Sequence, residues 1–87
     1  MKTFTLYVDP GHAWAKVPVA ILSELKIANK ITRYSYRKNA YAYLEEDCDL
    51  ATFVSVYRDT HGADPIFIEK HSNRDSRIRS YSSYYIS

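Results

Sequence analysis

The last eighteen residues, KHSNRDSRIRSYSSYYIS, set Arg74, Arg77 and Arg79 among serines and tyrosines, with Ile78 and Ile86 the aliphatic side chains between them. An arginine guanidinium is a planar fork that matches a phosphate with two parallel hydrogen bonds. A tyrosine ring stacks on a base and adds a hydroxyl. In type, then, KHSNRDSRIRSY resembles a surface for phosphate-bearing ligands. Ile78, Tyr81 and Tyr85 recur at i, i+3 and i+7, as one helical face would. On that spacing an apolar stripe fastens the tail, and Arg77 and Arg79 flank it. The alternative is a solvated basic segment that packs only by its tyrosines.

Other residues with chemical potential are weaker pointers. DPGH places Asp9 near His12, the order of an oriented general base, but Asp, Pro and Gly also build a turn whose carboxylate caps backbone donors. EEDCD (45–49) surrounds Cys48 with four carboxylates. It lacks the glycine and the alternating rhythm of a calcium loop, and acids before a helix suit its dipole. Those carboxylates disfavour a thiolate, so Cys48 is expected to be chemically silent. His12, His61 and His71 show no paired metal-ligand spacing, and the chain has two glycines, too few for a phosphate loop. Neither a cofactor, a metal nor catalysis is expected.

Charge is unevenly spread. Residues 1–69 carry eight Lys/Arg against nine Asp/Glu, whereas 70–87 carry Lys70, Arg74, Arg77 and Arg79 against Asp75. The positive field therefore sits at the end of the chain. A near-neutral balance argues against mimicry of DNA. A single cysteine excludes an internal disulfide and suits a reducing cytoplasm. No apolar run has the length of a membrane span or a signal sequence, so the expected location is the cytoplasm.

The elements that must position these residues form one small domain, residues 1–87. TFTLYV (3–8) and HAWAKV (12–17) alternate as half-buried strands, and Pro18 suits the start of a helix carrying Ile21, Leu22 and Leu25. The grammar returns in ITRYSYRK (31–38), NAYAYL (39–44) and a helix with Leu50, Phe53, Val54 and Tyr57, for which Asp49 is a candidate N-cap and His61-Gly62 the end. PIFIEK (65–70) is a final strand. The chain thus reads as β-β-α-β-β-α-β, an α+β fold with a mostly antiparallel sheet and helices on one face. Residues 1–30 and 31–62 form an internal ββα repeat, and 63–87 hold the last strand and basic tail. Five extra residues precede the second helix. Ala13, Ala15, Ala40 and Ala42 are expected beneath the helices; Tyr7, Trp14, Tyr41, Tyr43 and Phe67 are expected on the opposite face. Exposed aromatics there require a cover: the tail, a second copy or a flat ligand.

YVDPGHAWAKVP, AYLEEDCDLATF and EKHSNRDSRIRSY resemble a family of small bacteriophage-encoded proteins over about residues 7–81. The family pattern has Gly where this chain has Ala13. The resemblance implies an accessory protein in a host cell cytoplasm, acting against host defences by blocking a protein, binding nucleic acid or sequestering a nucleotide signal. The residues then support two functions. One is a non-catalytic homo-oligomer that holds a phosphorylated nucleotide-like molecule, with Arg74, Arg77 and Arg79 on phosphates and Trp14, Tyr41, Tyr43 or Tyr81 on the base. The other is an interaction module that inhibits a host enzyme through a Tyr-rich surface; single-stranded nucleic acid lies between the two. A membrane partner is not expected.

Overall fold

A computed structural model describes residues 2–86. Strands β1 (Thr3–Val8) and β2 (Ala13–Pro18) form a hairpin that runs directly into helix α1 (Val19–Glu24). Strands β3 (Tyr36–Lys38) and β4 (Tyr41–Glu45) form a second hairpin, followed by helix α2 (Leu50–His61) and strand β5 (Ile66–His71). A single 3-10 turn (Arg77–Ser80) and the short strand β6 (Ser82–Ser83) complete the chain. The fold is α+β, with one open six-stranded sheet in the order β5-β1-β2-β4-β3-β6. All neighbours are antiparallel except β5, which lies parallel to β1.

The register of the central strands carries the repeat. Shifting residue numbers by 27 turns the Trp14–Glu45 pair into Tyr41–Pro18, and Ala15–Leu44 into Ala42–Val17. Lys16 opposite Tyr43 lies on the resulting pseudo-twofold axis. The same operation relates two hydrogen bonds at the strand ends, Glu46 N–H to the Ala13 carbonyl (3.1 Å) and Val19 N–H to the Ala40 carbonyl (2.9 Å).

One face of the sheet packs on the helices. Phe4, Ala15, Val17, Ala42 and Leu44 meet Ile21, Leu22, Leu25, Phe53 and Tyr57 in the main core. Ala15 and Ala42 are fully buried, as small residues beneath a helix should be, but Ala40 lies in the β3–β4 turn and is exposed. Phe67 also departs from expectation. Because β5 pairs with β1, Phe67 stands opposite Phe4 and shares its helix-side face, the rings 6.1 Å apart.

Two further differences have clear causes. Residues 31–35 form turns instead of the first half of a strand. Asp49, 2% exposed, accepts hydrogen bonds from the Thr32 N–H and hydroxyl and from the Ser35 hydroxyl. Those bonds turn the backbone, and Ile31 drops into the helix-side core. For the same reason Asp49 makes no side-chain cap for α2. The helix does end at Gly62, whose φ of 73° is the left-handed conformation that glycine adopts without a Cβ penalty.

Candidate functional site

The opposite sheet face carries Tyr7, Trp14, Lys16, Tyr41 and Tyr43, and the tail covers much of it. Ile78, 3% exposed, packs on Trp14 and Tyr43 with Tyr7, Tyr36 and Tyr81 around it. The tail is a single 3-10 turn and then extended chain, not the helix expected from the Ile78–Tyr81–Tyr85 spacing. Its second anchor is therefore Tyr84 instead of Tyr85. Pairing of β6 with β3 carries the chain to the sheet edge. Tyr84 N–H then donates to the Ser35 carbonyl (2.9 Å), and the Tyr84 ring enters the helix-side core with its hydroxyl donating to the Ala28 carbonyl. Tyr85 stays half exposed, its ring under the Arg37 guanidinium and its carbonyl accepting from Arg37 Nη1.

An ion pair locks the start of the tail. The Asp9 side chain is wholly buried and its two oxygens accept from Arg79 Nε at 2.7 Å and Nη2 at 2.9 Å. The same carboxylate accepts from the backbone N–H groups of Ser76, Gly11 and His12. The Arg79 guanidinium, reinforced by these N–H donors, holds the Asp9 carboxyl far below the usual carboxylate range. The glycine at 11 leaves room for this approach, since a Cβ there would stand 3.0 Å from Arg79 Nη2. Arg79 also lies over the Trp14 ring, 5.2 Å from its centroid. Asp9 is thus the turn-building carboxylate of the structural reading. It is not a base partner of His12, whose Nδ1 instead lies 3.2 Å from Glu45 Oε1.

Between the tail and the sheet runs a groove of about 670 Å³. Its cations are Lys16, Arg74 and Arg77, and Asp75 is its only carboxylate among the described lining residues. Neither Arg74 nor Arg77 has an ion-pair partner among the described residues. Tyr7, Tyr43 and Tyr81 form the aromatic wall, with Tyr43 and Tyr81 centroids 5.1 Å apart and Tyr7 and Tyr43 6.4 Å apart. Burial, assisted by the neighbouring Tyr81 and Tyr7 hydroxyls, pushes the Tyr43 phenol up to about 12. Tyr43 therefore keeps its hydroxyl proton at physiological pH.

The structure brings together Arg74, Arg77, Tyr43 and Tyr81 of the residues singled out from sequence. It separates the other three. Arg79 is committed to Asp9. Trp14, 2% exposed, lies beneath the tail and does not line the groove. Tyr41 is on the same face but outside the groove, beneath the Lys16 ammonium at 4.2 Å. Tyr7 and Lys16 were missed. Strand alternation had placed Tyr7 on this face, but only the register sets Lys16 opposite Tyr43.

Beside the Asp9 clamp a smaller hollow of about 330 Å³ is lined by His12, Trp14, Tyr34, Tyr36, Glu45, Asp47 and Cys48, together with the clamp's own Arg79. Donor atoms of His12, Glu45 and Asp47 all lie within 4.8 Å of one another. Burial and a hydrogen bond to Glu45 push the Cys48 thiol up, away from the nucleophilic thiolate. Among the described residues no helix is long and apolar enough to cross a membrane. No protein-family model, curated protein or solved structure matches this chain, so its likeness to other proteins assigns it no family.

Proposed function

We propose that the protein is a non-catalytic binding module for a phosphorylated, nucleotide-like small molecule, held in the groove between the tail and the sheet. The observation that carries this reading is the pairing of three cations with three tyrosines in one concave site. Arg74, Arg77 and Lys16 take the phosphates, and Tyr81 and Tyr7, both half-buried, present ring surface to the base. Two backbone anchors precede binding: the Asp9–Arg79 clamp and the buried Ile78. Anchoring lowers the entropy lost when Arg74 and Arg77 engage a ligand. In the bacteriophage context implied by the sequence resemblance, such a module sequesters a host nucleotide signal. One chain supplies every residue of the groove, so homo-oligomerisation is not required to create it.

Thermal shift and calorimetry with nucleoside phosphates and cyclic dinucleotides test the reading. A ligand should raise Tm with the logarithm of its concentration once that concentration exceeds Kd. Replacing Arg77 or Arg74 by Ala should weaken binding by about tenfold or more, since a charge-assisted hydrogen bond is worth about 1.5–3 kcal/mol. Lys at either position should restore only part. Failure of every nucleotide to shift Tm at millimolar concentration would overturn it. A single-stranded nucleic acid would instead show an affinity that falls steeply with salt.

A second reading has one specific observation in its favour. Ile66 and Ile68 are 42% and 56% exposed on β5, an edge strand of the sheet. An exposed edge strand is a natural strip for strand addition by a partner protein, and this supports the alternative function, inhibition of a host enzyme, through β5 on the sheet face that also carries Tyr7.

A further inference from the structure

The hollow beside the clamp joins two segments far apart in sequence. The β1–β2 turn contributes His12, and the end of β4 with the residues after it contributes Glu45 and Asp47. The His12 Nδ1 to Glu45 Oε1 distance is 3.2 Å. Two donors bound to one ion at about 2.0–2.2 Å lie about 3.0–3.5 Å apart, so this spacing already matches neighbouring ligands of a metal. Glu45 is held in place, because its Oε2 accepts from the Asp47 N–H at 2.8 Å. Asp47 is exposed, and a carboxylate oxygen of it already lies within 4.8 Å of the His12 and Glu45 donors.

Charge points the same way. Glu45 and Asp47 have no Lys or Arg partner among the described residues, and the nearby Arg79 is spent on Asp9. The hollow therefore faces solvent with two carboxylates and an imidazole. An independent observation concerns Trp14, whose indole forms part of the wall. Its Nε1 is buried and has no hydrogen-bond partner among the described residues. A buried donor without an acceptor is costly, and it belongs to a residue that lines this hollow.

We propose that the hollow binds a first-row divalent transition-metal ion of the Zn²⁺ class through His12, Glu45 and Asp47, with water in the remaining positions. The imidazole selects such an ion over Mg²⁺ or Ca²⁺, which prefer all-oxygen sets. The bound ion would cross-link the β1–β2 turn to the end of β4. His12 N–H also donates to Asp9, so the cross-link would stiffen the turn that clamps the tail.

Calorimetric titration of Zn²⁺ into the Cys48→Ser variant tests the site without contribution from the chain's one thiol. The expected result is one saturable site per chain at micromolar affinity. His12→Ala and Glu45→Gln should each weaken it by about tenfold or more, since even indirect partners of a metal site are worth that much. His71→Ala, which removes the exposed His71–Glu69 pair, should leave it unchanged. Trp14 is the only tryptophan and its ring centroid lies 5.9 Å from that of His12. Co²⁺ should therefore quench its fluorescence with a saturable midpoint, a readout that needs no substitution in the site. The inference is overturned by the absence of saturable binding at submillimolar metal, by binding indifferent to His12→Ala, by binding lost in His71→Ala, or by Co²⁺ binding that leaves Trp14 emission unchanged.

Discussion

Replacing Ile78 with Ala tests whether the tail is part of the fold. Ile78 is the one aliphatic side chain inserted between Trp14 and Tyr43, and it is 3% exposed. Removing its outer carbons costs the transfer free energy of those groups plus the cavity they leave, about 2–4 kcal/mol beneath a single layer of chain that can partly collapse. An 87-residue domain has a total stability of roughly 4–13 kcal/mol. Each kcal/mol moves Tm by about 4–8 °C at this size, so the loss should appear as a fall of about 8–32 °C. Urea unfolding followed by Trp14 emission and by far-ultraviolet circular dichroism measures it twice. Trp14 lies directly under the substituted residue, so its emission should shift to the red at lower urea than the dichroism changes if the tail peels away first. Ile78→Val provides the graded control, with an expected loss of about 0.5–1.5 kcal/mol. A Tm for Ile78→Ala within about 3 °C of the parent, less than 1 kcal/mol at this size, would mean that the tail does not pack on Trp14 in solution.

Two other outcomes follow from the buried carboxylates. The folded Asp9 carboxyl is held far below its unfolded value of about 3.9, so its contribution is fully present above that value and is lost as pH falls through the acid range. Asp9→Asn should therefore lower Tm at neutral pH and flatten its decline below about pH 4; an unchanged acid slope would refute the assignment. Asp49→Ala should cost about 2–4 kcal/mol by urea titration, because the Ser35 hydroxyl and the Thr32 donors lose their acceptor. A loss below 1 kcal/mol would show that water replaces the carboxylate there.

Strands β1, β2, β4 and β5 and both helices were legible because each carries its period over five or more residues. The ββα repeat was legible from Ala13, Ala15, Ala40 and Ala42, although Ala40 itself lies in a turn. Residues 31–35 were not legible, because their alternation is overridden by a carboxylate fourteen to seventeen residues away. In the tail, Arg74, Arg77 and Tyr81 were recognisable by type. The division of labour among the arginines was not, since nothing local to Arg79 marks it as the partner of Asp9, seventy residues earlier. Phe67 and Lys16 were likewise set by pairing register, a long-range property that periodicity alone does not contain.

The candidate sites lie where the repeat is broken. The pseudo-twofold axis relates the Glu46–Ala13 bond to the Val19–Ala40 bond, so the two ends of the β2–β4 ladder begin as equivalents. At the Val19–Ala40 end the chain turns through the two residues Asn39 and Ala40 and passes from Pro18 straight into α1. At the Glu46–Ala13 end both connections are longer: residues 9–12 separate β1 from β2, and residues 46–49 separate β4 from α2. Those two insertions meet. One supplies Asp9 and His12, the other Glu46, Asp47, Cys48 and Asp49. They create the hollow, the clamp that receives Arg79 and the carboxylate that bends residues 32–35. The tail then fastens to this end and roofs the sheet, which forms the groove with Arg74 and Arg77. A symmetric pair of ββα units would have buried one face on the helices and left the other bare. The asymmetry in the two loops is what gives the bare face an anchored cover, and with it a concave, positively charged site.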